Sequence, residues 1–284
     1  MRYLSLPKDD KADAYIPQDV FATCVAMVKN VDLKARLEAI SGDIEKASKD
    51  YDLAADAKTL YLTPLTAKVR KVIAEELVKI YTQRMVPKKA KGRPVYDQIM
   101  SIPANGRCPF CGIGTVNTLD HYLPKTHFPV FSVTPHNLVP ACTWCQGQKM
   151  EYYPITAGGQ LLHPYFDDFD QDIWLAAEVV VGSPAAFRYS ASPPVNWTPD
   201  EKARVASHLR ELKLGSLFGS NAGSRLVEIR GRLAKLHDAG GAHAVRAHLQ
   251  EELDSVEQDH KNSWVAAMYR GAIASDWFCD GGFR

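Results

Sequence analysis

Along the first third of the chain, apolar residues return every three or four positions. QDVFATCVAMVKN, VDLKARLEAISGDIEKASKDY and TAKVRKVIAEELVKIYTQRM each carry this period, which predicts helices across residues 17–84. Pro64 and Thr66 punctuate the approach to the third of them. KKAKGRP (88–94) breaks the pattern with Gly and Pro. Farther on, WLAAEVVVG and FRYSA flank Ser183-Pro184-Ala185-Ala186 and predict a two-stranded hairpin over 174–191. SASPPVNW is a loop. Thr198-Pro199-Asp200-Glu201 then has the form of a capping box with proline at the first helical position. Helices are expected at 199–218, about 223–238 and about 242–275, with Gly240-Gly241 breaking the last two. Leu226, Ile229, Leu233 and Leu236 form one apolar stripe, read as core. The aromatic-rich C-terminal segment, NSWVAAMYRGAIASDWFCDGGFR, is read as docking into the core. No internal repeat is visible.

The class that follows is α+β and mainly helical. The expected organisation is an N-terminal helical region with a basic linker (1–94), a cysteine-bearing core (95–170), and a β-hairpin with a C-terminal helical region (171–284). A chain of 284 residues, 46% hydrophobic and 24% charged, can bury a sizeable core. No apolar run has the length of a membrane span, and the first residues lack a secretory apolar segment, so a cytoplasmic protein without membrane contact is expected.

Charge changes the picture only locally. The net charge is +1, which excludes a strongly basic nucleic-acid binder. Between residues 68 and 93, however, Lys68, Arg70, Lys71, Lys79, Arg84, Lys88, Lys89, Lys91 and Arg93 face only Glu75 and Glu76. Such a local excess attracts phosphates, with a solvated helix face and linker as the plainer alternative.

Four of the six cysteines form two pairs, Cys108-Pro-Phe-Cys111 and Cys142-Thr-Trp-Cys145, separated by 30 residues. Two such knuckles supply the four thiolates of a tetrahedral zinc site. A site closed by four thiolates leaves no coordination position open, so its zinc is structural. Cys24 and Cys279 are read as buried core residues. A redox role for the pairs is the weaker reading.

Between the knuckles lies TLDHYLPKTHFPVFSVTPHNLVPA. Metal-dependent phosphodiester cleavage needs a base near neutral pH, which imidazole provides, and a hard cation held by oxygen. Residues 107–151 carry Asp120-His121, Pro124, Asn137-Leu138 and Cys142-x-x-Cys145-Gln146-Gly147-Gln148-Lys149 in this order. This arrangement resembles the HNH (ββα-metal) endonucleases, in the branch stapled by zinc. The resemblance implies a ββα-metal core with His121 as general base, Asp120 as ligand of a catalytic Mg²⁺ or Mn²⁺, and Asn137 as the residue that holds the loop. It also implies a third metal position after the second knuckle. That position holds Gln146 where the family has Asn or His, and His163 is the alternative ligand, with Asp167 and Asp168 as further candidates to assist. Lys125 and Lys149 stand where a phosphate would be held, and Lys88, Lys89, Lys91 and Arg93 would contact a nucleic-acid backbone. His127 and His136 are read as solvated loop residues or phosphate contacts. His208, His237, His243, His248 and His260 are read as surface residues.

The expectation is thus a DNA endonuclease, RNA not being excluded, either nonspecific or directed by a partner. Beyond the motif, the chain looks like HNH proteins of bacterial phage-defence loci, which implies an ATPase or other defence partner and leaves a homo-oligomer open. The rival is a zinc-stapled binding module without chemistry.

Overall fold

In the computed structural model, residues 2–9 and 13–284 are described. They form two compact units, residues 2–167 and 168–284. The fold is mixed α+β, mainly helical, with three small two-stranded antiparallel sheets.

The first unit begins with α1 (Pro17–Val25), α2 (Val31–Glu38) and α3 (Ser41–Asp56). Pro17 opens α1, and the Asn30 side chain accepts from Leu33 N–H to cap α2. The expected third helix does not begin at Thr66. Residues 68–73 instead form a minimal hairpin, β1 (Lys68–Val69) against β2 (Val72–Ile73), turned by Arg70 in the left-handed region. Helix α4 (Ala74–Arg84) starts only where Glu76 reaches back to the Ile73 N–H. Arg36 forks onto both oxygens of Glu76 and also donates to the Lys71 carbonyl, which ties this corner to α2. These tertiary bonds outweigh the helical period of the sequence.

After a turn come α5 (Arg93–Ser101), β3 (Thr118–His121), β4 (Leu138–Ala141) and α6 (Thr143–Lys149). Strands β3 and β4 pair antiparallel, Asp120 opposite Val139 and His121 opposite Leu138. Tyr81 of α4 donates its hydroxyl to the Leu119 carbonyl, and Tyr96 of α5 accepts from the Leu119 N–H. The N-terminal helices thereby hold β3 from behind.

The second unit contains the expected hairpin, β5 (Leu175–Val180) with β6 (Ala186–Ala191). Helix α7 (Pro199–Glu211) starts on the expected capping box, with Thr198 and Glu201 exchanging bonds. It ends earlier than the periodicity suggests, because Lys213 turns left-handed. The span α8 (Leu214–Glu257) is two helical stretches that meet at the expected break, Gly240-Gly241, where both glycines leave helical dihedrals and Gly241 takes φ +62°. Helix α9 (Trp264–Ala274) is separate, its N–H groups capped by Ser263. Leu226 and Leu233 of the apolar stripe are buried, as are Phe278, Cys279 and Phe283 of the C-terminal segment. His208 and His260, expected on the surface, are buried instead. No helix among the described residues is long and apolar enough to cross a membrane.

Candidate metal centre and Asp-His site

The four Sγ atoms of Cys108, Cys111, Cys142 and Cys145 lie within 4.8 Å of one another, and all four residues are buried. Zinc–sulfur bonds of about 2.3 Å in a tetrahedron put sulfurs roughly 3.8 Å apart. The Cys111–Cys142 separation is 3.8 Å. Backbone N–H groups of Ile113 and Gly114 point at Cys111 Sγ, and that of Cys145 at Cys142 Sγ. Such donors favour thiolate over thiol. None of the cysteines is in a disulfide. Gly114 is required by contact: a Cβ there would stand 2.5 Å from Cys142 Sγ. The cluster therefore fits a zinc ion, and Cys142, as N-cap of α6, fixes that helix against the first knuckle.

His121 ends β3 with its ring buried edge-on to Tyr81, ring centroids 4.5 Å apart. Its Nε2 lies 2.9 Å from the Ser132 carbonyl. A carbonyl only accepts, so Nε2 carries the hydrogen and Nδ1 keeps its lone pair. Burial, above all, and then the Lys125 ammonium push the imidazole's pKa down to about 3 against the pull of the Ser132 bond. The ring is neutral at physiological pH, the state in which it can accept a proton.

Asn137 is fully buried and spans the loop that joins β3 to β4. Its Oδ1 accepts from Leu123 N–H at 2.8 Å, and its Nδ2 donates to the carbonyls of Leu123 and Phe131. Every polar atom of the side chain is thus used to close the loop that carries Ser132. Asn137→Ala would strand three buried backbone groups at about 1–3 kcal/mol each in the worst case. The expected result is a loss of roughly 2–4 kcal/mol of stability in urea titration, with zinc content unchanged.

Asp120, one residue before His121, is also buried. Lys149, on the inner face of α6, brings its ammonium to 3.2 Å from Asp120 Oδ2 and donates to the His121 carbonyl at 2.6 Å. The approach to Oδ2 is an ion pair off the axis of a hydrogen bond, so Oδ2 retains a buried lone pair with no donor. Lys149 is itself 2% exposed. This corrects its reading as a phosphate contact: its ammonium is enclosed and engaged by the Asp-His pair.

Other expected residues fall differently. Gln146 sits one turn before Lys149, half-buried, its Nε2 at 3.5 Å from Thr118 Oγ1, on the same side of α6 as β3. His163 does not serve as a metal ligand here, because both ring nitrogens are engaged. Tyr165 N–H donates to Nδ1, so Nε2 carries the hydrogen and donates to Tyr51 Oη at 2.9 Å. The ring packs against Tyr122 and Phe166. Asp167 is likewise engaged, by Lys58 and the His163 N–H. His136 is buried and bonded to Asp52 at 2.8 Å, whereas His127 stands half-exposed beside Glu151 and Tyr153. Arg93 is not available to a backbone phosphate: it pairs with Asp97, donates to Val86 O and stacks on Tyr96. Arg70 pairs with Asp43. Lys88, Lys89 and Lys91 are exposed on the turn between α4 and α5. Lys125 is half-exposed over the Tyr81 ring that also touches His121.

Sequence reasoning missed Tyr81, the Ser132 carbonyl and the pairing of Lys149 with Asp120. For Lys149 a signal existed: it lies four residues after Cys145, hence on the same buried face of a helix.

Fold and site define a mixed α+β protein with a zinc-competent four-cysteine centre beside a buried Asp-His pair. No family model matches the chain, and no solved structure matches it. The chain is 31% identical over 238 residues to protein Ea31 of Escherichia phage lambda, covering 79% of this chain and 80% of Ea31. It belongs to the Ea31 family.

Proposed function

We propose that the protein is a metal-dependent HNH-type endonuclease that hydrolyses phosphodiester bonds, with DNA as the substrate. The observation that carries the reading is the His121 ring, aimed by its hydrogen bond to the Ser132 carbonyl with Nδ1 left as acceptor. Three features support it. The order strand, strand, helix in β3, β4 and α6 follows the ββα plan. Asn137 clamps the loop that aims the base. The four cysteines staple both ends of the segment.

The buried, donorless lone pair on Asp120 Oδ2 fits a cation ligand, and the Gln146 amide oxygen is a hard donor of the right type on the facing helix. A divalent cation held by these two would neutralise charge on the phosphate and the leaving oxygen. The chain's own part is to take the proton. His121 Nδ1 accepts it from the attacking water, while the Ser132 bond keeps the ring from rotating. Tyr81 and the loop held by Asn137 limit water around the base. Lys125, at the rim, and Lys88, Lys89 and Lys91, on the nearby turn of the same unit, would hold backbone phosphates without reading sequence. No base-reading module is evident, so cleavage is nonspecific or directed by a partner protein, with anti-phage defence as the setting proposed.

A second reading, a zinc-stapled binding module without chemistry, is favoured by one observation: Lys149 already neutralises Asp120. Supercoiled plasmid, single-stranded DNA and RNA are incubated with the zinc-loaded protein and Mg²⁺ or Mn²⁺. Nicking of plasmid that requires the added cation supports the nuclease. Binding of nucleic acid without cleavage under every cation supports the module.

A further inference from the structure

We infer that Lys149 is the built-in counter-ion of Asp120, which a divalent cation must displace, so that the cation-free protein is held folded and inactive. The inference rests on the reading of Asp120 as a cation ligand.

Two positive charges compete for one carboxylate. The Lys149 side chain is 1% exposed and the Asp120 side chain 10% exposed, so water screens neither well. The ammonium bridges both halves of the Asp-His pair, since it also donates to the His121 carbonyl. Its place is fixed by the fold: α6 is short, capped at one end by Cys142, and Lys149 is its last residue. The next residue, Met150, adopts a positive φ and is exposed, so the chain leaves the helix immediately after the lysine. A dication entering beside Oδ2 would meet this ammonium at close range, and like charges in a poorly screened site repel strongly. The four-carbon stem gives Lys149 the means to yield, because its ammonium can swing to solvent by rotamer change at the helix end. Lys149 is thus a positioning residue in the resting protein.

The test uses full-length, zinc-loaded protein and Mn²⁺ alone, with bound ion measured by electron paramagnetic resonance. Lys149→Met is expected to bind Mn²⁺ about tenfold or more tightly than wild type. Asp120→Asn in the Lys149→Met background is expected to abolish that binding. Mn²⁺ affinity equal to or weaker than wild type in Lys149→Met overturns the inference and leaves Asp120 standing as a ligand. Absence of Mn²⁺ binding in both proteins overturns the inference together with the ligand reading. Reductive methylation of wild-type lysines, read by mass spectrometry, decides independently of any variant. Lys149 is expected to be protected without Mn²⁺ and modified with it; protection that persists at saturating Mn²⁺ overturns the displacement.

Discussion

Cys145→Ser is expected to lose its zinc and to unfold the segment from Cys108 to Lys149 as a unit. The four sulfurs sit within 4.8 Å of one another, and all four are buried. Without the metal, thiols crowd together around a centre that no apolar side chain fills. With it, the two knuckles and the N-terminus of α6 become one rigid body, and structural zinc contributes on the order of 10–16 kcal/mol in small zinc domains. Here the helices around the site share the load, so the expected loss is several kcal/mol, well above the roughly 1 kcal/mol of an average substitution. Elemental analysis should find no zinc in the variant, and thermal unfolding should show an early transition that a chelator reproduces in wild type. Cys24→Ala, which alters a buried thiol outside the cluster, should keep its metal.

The second large effect concerns the buried ion pair. Asp120→Ala removes the only carboxylate within ion-pair distance of Lys149 among the described residues. It leaves an ammonium enclosed beside His121 with one carbonyl as partner. Breaking one side of a buried pair costs about 3–5 kcal/mol, because the survivor keeps its desolvation penalty. Asp120→Ala is therefore expected to be less stable by up to that amount in denaturant titration, reduced by whatever the Lys149 ammonium regains on swinging to solvent. Lys149→Met in the same chain should recover most of it, since an apolar stem of similar length fills the space without a charge. The double-mutant cycle measures the coupling directly. Additive effects of the two changes would show that the pair does not form.

Much of the fold was legible in the sequence because its signals are local. The hairpin over 174–191 and the Thr198-Glu201 capping box depend on neighbours a few residues apart, and both form where expected. So does the four-cysteine cluster, since C-x-x-C spacing dictates that each pair shares one turn. What failed was set by distant partners. The period through Thr66–Ile73 reads as helix, yet Arg36, some 35 residues away, anchors the Lys71 carbonyl and makes a hairpin. His163 looked exposed to a metal because nothing in sequence announces Tyr51, 112 residues earlier, as its hydrogen-bond partner. Lys149 looked like a phosphate contact because a lysine after a metal knuckle is usually solvated, and only the packing of α6 against β3 turns it inward. The residues of the Asp-His pair could be singled out, whereas for Lys149 the spacing from Cys145 gave only its buried face and not its partner, Asp120.

The central claim is that His121 takes the proton from water. The most direct test is the single-turnover rate of plasmid nicking by wild type and His121→Ala, at matched zinc content and saturating Mn²⁺. Loss of a general base predicts a fall of about 10²–10⁴-fold, with Mn²⁺ affinity little changed, measured where the variant, destabilised by loss of its buried ring, is still fully folded. A His121→Ala protein that nicks at the wild-type rate would contradict the account.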